Sequence, residues 1–215
     1  MSQPLRSLEQ CSGASTLMVL LPGAYMQPED FVEAGFFSRV AELGLKLDLI
    51  AVDLNLTQIS DRSALPAVQA EIIAPARQRG YTKIWLGGIS LGGLLSLCHN
   101  ADTPGAVDGL CLLAPYPGSR LTTNAIARAG GLAQWQATPE ELDDPEFRAW
   151  QWLKNPPVGF PVFVGYGSED RFAGGMRQIA ECFPPGSSQA VPGGHDWPAW
   201  QALWEHFLTR APFLD

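Results

Sequence analysis

The stretch KIWLGGISLGGLLSL, Lys83–Leu97, reads as a β-strand that runs directly into a buried helix, with Ser90 at the junction. Four glycines crowd that junction, and Gly88-Ile89-Ser90-Leu91-Gly92 matches G-x-S-x-G. The spacing has a steric reason. A residue at the tip of a tight strand-to-helix turn takes up a strained backbone conformation and presses on the positions two before and two after it. Small residues at Gly88 and Gly92 relieve the pressure, and the turn then lifts the Ser90 hydroxyl clear of the sheet. The helix amides just beyond Ser90 favour developing negative charge. By itself the motif is a weak signal. Its setting, KIWL as strand before it and LLSL as helix after it, makes it worth following.

Outward from Ser90, short apolar runs alternate with longer amphipathic ones, the pattern of a parallel sheet with crossover helices. TLMVLL (16–21), the centre of LKLDLIAVDL (45–54), KIWLGGIS, VDGLCLLAPY (107–116), PVFVGYG (161–167) and SSQAV (187–191) predict about six strands. Continuous apolar runs such as VDGLCLLAPY suit strands covered on both faces. A helix is expected over PEDFVEAGFFSRVAELG, with Val32, Phe36, Val40 and Leu43 on its inner side, Glu29 and Asp30 in its first turn and Gly44 at its end. The 60–80 segment reads as helix with Leu65, Val68, Ile72 and Ala76 inward, and Pro75 is expected to kink or end it. Residues 117–160 hold no strand-like run and predict a helical insertion between the fourth and fifth strands, lying over the sheet. The whole chain, 1–215, is expected to form a single domain.

The 215 residues are 46% hydrophobic and 17% charged, enough to bury a full core. A formal net charge of −8 argues against a nucleic-acid partner. TLMVLL is short and has no basic stretch beside it, so neither a signal peptide nor a membrane span is expected. Cys11, Cys98, Cys111 and Cys182 form no CxxC pair, and Cys98 and Cys111 fall in apolar runs. They read as reduced thiols of a cytoplasmic protein rather than as a disulfide framework. No metal-ligand spacing is present, and neither metal nor cofactor is expected.

A serine hydroxyl is a poor nucleophile without a base, and the chain offers three histidines. His99 lies too far along the helix that follows Ser90 to turn back. His206 falls within the last helix and reads as a surface or packing residue. His195, in VPGGHDWPAW, sits on a glycine-rich loop after the last strand, where a base would hang over the sheet. The base in turn requires an orienting acid. Asp170 leaves the sheet one strand earlier, with Glu169 the next choice, while Asp196 reads as the N-cap of the helix beginning WPAW. The set is therefore Ser90, Asp170 and His195, in that chain order.

A serine motif at a strand–helix turn, followed by an acid and then a histidine, resembles the α/β-hydrolase superfamily, and the resemblance runs from about Thr16 to Leu208. GGHDWPAW is similar to the histidine loops of esterase-type members. LLPGAYMQPEDF resembles the oxyanion loop, with Pro22 where the family usually has histidine. The resemblance implies that Ser90 attacks an acyl carbonyl, His195 takes its proton, and Asp170 holds the imidazole. The oxyanion would be bound by the backbone amides of Leu91 and Ala24, with Tyr25 as the alternative donor.

Specificity in such a scaffold comes from loops above the sheet. Tyr25, Met26, Trp135, Trp150 and Trp152 are the candidates for an acyl pocket, although the tryptophans serve equally well as fasteners of the insertion. The expected activity is hydrolysis of a small soluble carboxylic ester. A thioesterase or acyltransferase on the same residues, and a non-catalytic binding protein, are the alternatives. An ester or thioester is the expected partner, and the sequence leaves the oligomeric state open.

Overall fold

The computed structural model describes residues 4–213. Seven strands form one sheet: β1 (Ser7–Gln10), β2 (Thr16–Leu21), β3 (Asp48–Val52), β4 (Lys83–Ile89), β5 (Gly109–Leu113), β6 (Val162–Gly167) and β7 (Ser188–Val191). Their order is β1-β3-β2-β4-β5-β6-β7. All neighbours are parallel except β1, which pairs antiparallel with β3. The sheet therefore has one strand more than the six expected. The extra strand, SLEQ, is a half-buried edge strand whose polar residues carry no apolar signal.

Strands β2 through β6 are almost wholly buried, because helices cover both faces. On leaving β2 the chain moves outward to β3, then crosses back to β4, so the strand order reverses between β2 and β4. In open parallel sheets, the crevice beyond the strand ends at such a reversal is where ligands bind. Leu21 and Ile89 are the last residues of the two strands, and Ser90 follows directly.

The first helical segment is two helices rather than one. Helix α1 (Pro28–Glu33) and helix α2 (Phe36–Glu42) are separated at Gly35, whose φ of +83° no helix interior accommodates. The break re-aims the apolar stripe. Phe36 and Val40 are buried as expected, but Val32 and Leu43 are exposed, with Phe31 and Phe37 taking the inward positions. The next segment runs through α3 (Leu56–Ser60), α4 (Ala64–Ala67), a π-helical stretch (Val68–Ile73) and α5 (Ala74–Gln78). Pro75 does not end it, because helix continues through α5. The wider π turn, in which the Ala74 amide donates to the Gln69 carbonyl five residues back, absorbs a residue without an amide proton. Val68, Ile72 and Ala76 face the core, and Leu65 is partly buried against it.

Helix α6 (Leu91–Asp102) follows Ser90. Between β5 and β6 lie α7 (Arg120–Arg128), a short 3₁₀ turn (Glu141–Asp143) and α8 (Pro145–Leu153), and α8 packs on α6. Helix α9 (Ala173–Ala180) follows β6, and α10 (Trp197–Arg210) is the last helix described. Helix α10 is fixed to α2 by aromatic packing. Trp204 stacks on Phe36 at 5.0 Å and donates its indole N–H to the Phe36 carbonyl. All four cysteines are free, and among the described residues no helix is long and apolar enough to cross a membrane.

His99 gives the fold a pH response. It is buried in α6 with Nε2 2.9 Å from Gln69 Oε1, and burial pushes its imidazole down to about 4, against a weaker upward pull from Asp102. An unfolded chain protonates the same group at about 6.5. Its neutral form therefore contributes stability that is fully present above pH 6.5 and is lost as pH falls toward 4, on the order of 3 kcal/mol in all. Urea midpoints measured from pH 7.5 to pH 4.5 should fall, and His99→Gln should flatten that slope.

Candidate active site

The β4–α6 junction behaves as the steric reading requires. Ser90 has φ +54° and ψ −113°, a strained conformation for a residue with a side chain. Backbone bonds on both sides hold it there. The Ser90 amide donates to the Leu113 carbonyl at 2.9 Å, and the Tyr116 amide donates to the Ser90 carbonyl at 2.9 Å. A methyl group on Gly88 would lie 2.4 Å from the Leu21 carbonyl oxygen and 2.8 Å from Gly92, and one on Gly92 would lie 2.1 Å from the Leu21 oxygen. These clashes are with backbone, which has no rotamer to yield. Gly92→Ala is therefore expected to cost about 3 kcal/mol or more, read as a fall in Tm, whereas Gly174→Ala, in helix α9 with open space around it, should leave Tm unchanged or raise it slightly.

Two loops converge on Ser90 from the far side of β5. The ends of β6 and β7 are laced together. The Ser168 amide donates to the Val191 carbonyl at 2.7 Å and the Glu169 amide to the Gly193 carbonyl at 3.0 Å, and a side chain at Gly167 would strike the Gly193 oxygen at 2.4 Å. This lacing sets the Asp170 loop beside the His195 loop. His195 Nε2 lies 2.8 Å from Ser90 Oγ, and its Nδ1 lies 2.5 Å from Asp170 Oδ2. The Asp170 side chain is fully buried, and its other oxygen accepts the Phe172 amide at 2.8 Å. A buried carboxylate beside Nδ1 selects the tautomer with hydrogen there. That leaves Nε2 bare to accept the Ser90 proton. Glu169 is exposed, and Asp196 caps α10 by accepting the Ala199 amide. His99 is turned toward Gln69, and His206 is exposed.

The β2–α1 loop, 22–27, abuts this junction. A methyl on Gly23 would lie 3.4 Å from the Ile89 carbonyl oxygen, and one on Gly92 2.8 Å from the Pro22 oxygen. Ala24 is exposed, and Leu91, the first residue of α6, belongs to the turn whose amides have no acceptor within the helix. Tyr25 takes φ +65° in a turn closed by the Met26 amide on the Gly23 carbonyl.

The residues proposed for an acyl pocket are mostly elsewhere employed. Tyr25 is 85% exposed and stands in solvent rather than in a wall. Met26 folds back so that its sulfur accepts the Gly23 amide at 3.1 Å, which makes it the filler of its own loop. Trp150 is buried and donates to the Pro117 carbonyl at 2.9 Å; Trp135 is buried against Phe147. Both fasten the 117–160 segment and offer a ligand no surface. Trp152 meets Phe160 and Phe183 at the N-terminal edge of the sheet, the end opposite Ser90. The rings that do surround His195 are Phe172 at 5.6 Å and Trp200 at 5.2 Å, both edge-on, with Tyr116 set against Phe172 at 5.2 Å. Adjacency to Asp170 was the available signal for Phe172. Trp200, which follows His195 closely in the chain, carries the same signal, whereas for Tyr116, just beyond β5, the chain order holds none. Among the described residues no group of three or more His, Cys, Asp or Glu side chains could hold a metal.

No family model matches the chain, and no curated protein matches it in sequence. Solved structures do. The fluorophosphonate-binding serine hydrolase F of Staphylococcus aureus superposes with a TM-score of 0.64 at 13% identity, over 96% of this chain and 98% of that one. MGS-MChE2, an α/β hydrolase from a lagoon-sediment metagenome, gives 0.64 at 17% identity over 98% and 97%. The monoacylglycerol lipase of Paleococcus ferrophilus gives 0.63 at 14% identity over 97% and 100%. At these identities the likeness is one of architecture, and it identifies the fold: the chain has the α/β-hydrolase fold.

Proposed function

We propose that this α/β-hydrolase-fold chain is a serine hydrolase that cleaves a small carboxylic ester through an acyl-enzyme. The observation that carries the reading is the imidazole of His195, which bridges Ser90 Oγ at 2.8 Å and the buried Asp170 carboxylate at 2.5 Å. Ser90 Oγ attacks the ester carbonyl while its proton passes to His195 Nε2. The tetrahedral oxyanion is received by the Leu91 amide and that of Ala24, with Tyr25 as the alternative donor. The C–O bond to the alcohol breaks, and the alcohol oxygen leaves with the proton held on Nε2. Water then repeats the sequence on the acyl-Ser90 ester, releasing the acid and restoring the serine.

The 117–160 segment serves in this reading as a fixed covering within a single domain, supported by the buried Trp135 and Trp150. The four free thiols support action in a reducing compartment, the cytoplasm.

The test is to treat the protein with a fluorophosphonate probe, map the adduct by peptide mass spectrometry, and follow with a chain-length series of paired oxygen esters and thioesters. A single adduct on Ser90 with faster oxygen-ester turnover is expected. Faster thioester turnover would convert the assignment to a thioesterase. Folded protein that takes no label would remove the hydrolase reading in favour of a binding role.

A further inference from the structure

Six arginines of this acidic chain are paired with carboxylates: Arg6, Arg39, Arg62, Arg77, Arg79 and Arg148. Arg171, next to Asp170, is exposed and forms no ion pair among the described residues, not even with the neighbouring exposed Glu169. Its guanidinium carbon lies instead 4.7 Å from the centroid of the Phe172 ring. The same ring stands edge-on to the His195 imidazole at 5.6 Å and to Tyr116 at 5.2 Å.

A guanidinium stacked on an aromatic face spends only its π surface. Its five in-plane N–H groups stay free, and their fork matches a carboxylate. The support beneath it is stiff, because the Phe172 amide is tied to Asp170 Oδ1 and the Glu169 amide to the Gly193 carbonyl. Less freedom therefore remains to be lost when an anion docks. Arg120, a few residues beyond Tyr116, is also exposed and without an ion pair among the described residues.

His195 returns its proton to the departing oxygen, so the alcohol portion of the ester lies over the imidazole. Phe172 meets that imidazole edge-on, and Arg171 stacks on Phe172. We infer that Arg171 is a specificity-determining residue, which selects esters whose alcohol portion carries a carboxylate, such as O-acyl derivatives of hydroxy acids. The inference rests on the serine-hydrolase reading above and adds the substrate class to it.

The experiment compares 4-acetoxybenzoate with p-tolyl acetate, in which a methyl group replaces the carboxylate. Wild type, Arg171→Gln and Arg171→Lys are assayed at 20 and 500 mM salt. In wild type at low salt, the ratio of kcat/KM for the anionic ester to that for the neutral ester should favour the anionic one. Arg171→Gln should lower this ratio about tenfold, mainly through KM. Arg171→Lys should retain part of it, and added salt should lower the ratio in wild type but not in Arg171→Gln. A ratio unchanged by Arg171→Gln, with both esters falling together or neither moving, overturns the assignment while the hydrolase stands. Turnover of neither ester by wild type removes the hydrolase reading, and this inference falls with it.

Discussion

Ser90→Ala is expected to lower ester turnover by about 10⁴- to 10⁶-fold and to abolish fluorophosphonate labelling, with Tm shifted by no more than a few degrees. The size follows from the chemistry assigned to one atom. Without Oγ no acyl-enzyme forms, and what remains is whatever the aligned amides do for direct attack by water. The fold should survive, because the strained backbone at residue 90 is imposed by its bonds to Leu113 and Tyr116 and by the glycines around it. None of these uses the hydroxyl. His195→Ala should be nearly as damaging. The double variant should be no worse than either single one, since two residues that act in one step do not contribute additively. Turnover within tenfold of wild type in Ser90→Ala would mean that the nucleophile lies elsewhere. Independent, multiplying effects of the two substitutions would mean that His195 does not act on Ser90.

Much of this geometry could be read from residue order, because each part rests on local rules. A strand ending in G-x-S-x-G, an acid beyond the next-but-one strand, and a histidine beyond the last are each fixed to a strand end. A parallel sheet brings its strand ends to one edge. What residue order left open were side chains whose partners lie far away in sequence. Trp135, Trp150 and Trp152 had a composition compatible with either a pocket or a fastening. Only packing decides between those, and it buried the first two and sent the third to the opposite edge. Phe172 flanks His195 because the β6–β7 lacing sets the Asp170 loop beside the His195 loop, and no sequence period encodes that meeting. The missed strand β1 is polar and lies at an edge. The split at Gly35 came from a left-handed glycine, and the survival of the helix through Pro75 from a π turn; helical periodicity sees neither.

Asp170→Asn should lower kcat by about 10⁴-fold, and this structure gives a specific reason for so large an effect from exchanging an oxygen for an NH₂ group. One carboxylate oxygen of Asp170 accepts the Phe172 amide, and the other faces His195 Nδ1. An asparagine in the same place must keep its oxygen toward the Phe172 amide, because an NH₂ group there would set donor against donor. Its NH₂ then points at Nδ1, which has to give up its hydrogen in order to accept. The imidazole is forced into the tautomer with hydrogen on Nε2, and a nitrogen that already carries a proton cannot take the one on Ser90. The residue is buried and nearly unchanged in shape, so folding should persist and the loss should appear in kcat rather than in KM. Glu169→Gln is the matched control. Its side chain is exposed and touches neither partner, so an effect within twofold is expected there. If Asp170→Asn kept turnover within tenfold while Glu169→Gln did not, the orienting acid would be Glu169, and the loop would have to rearrange in the working enzyme. If both variants stayed active, His195 would be held by its flanking rings alone, and the buried carboxylate would serve the loop rather than the chemistry.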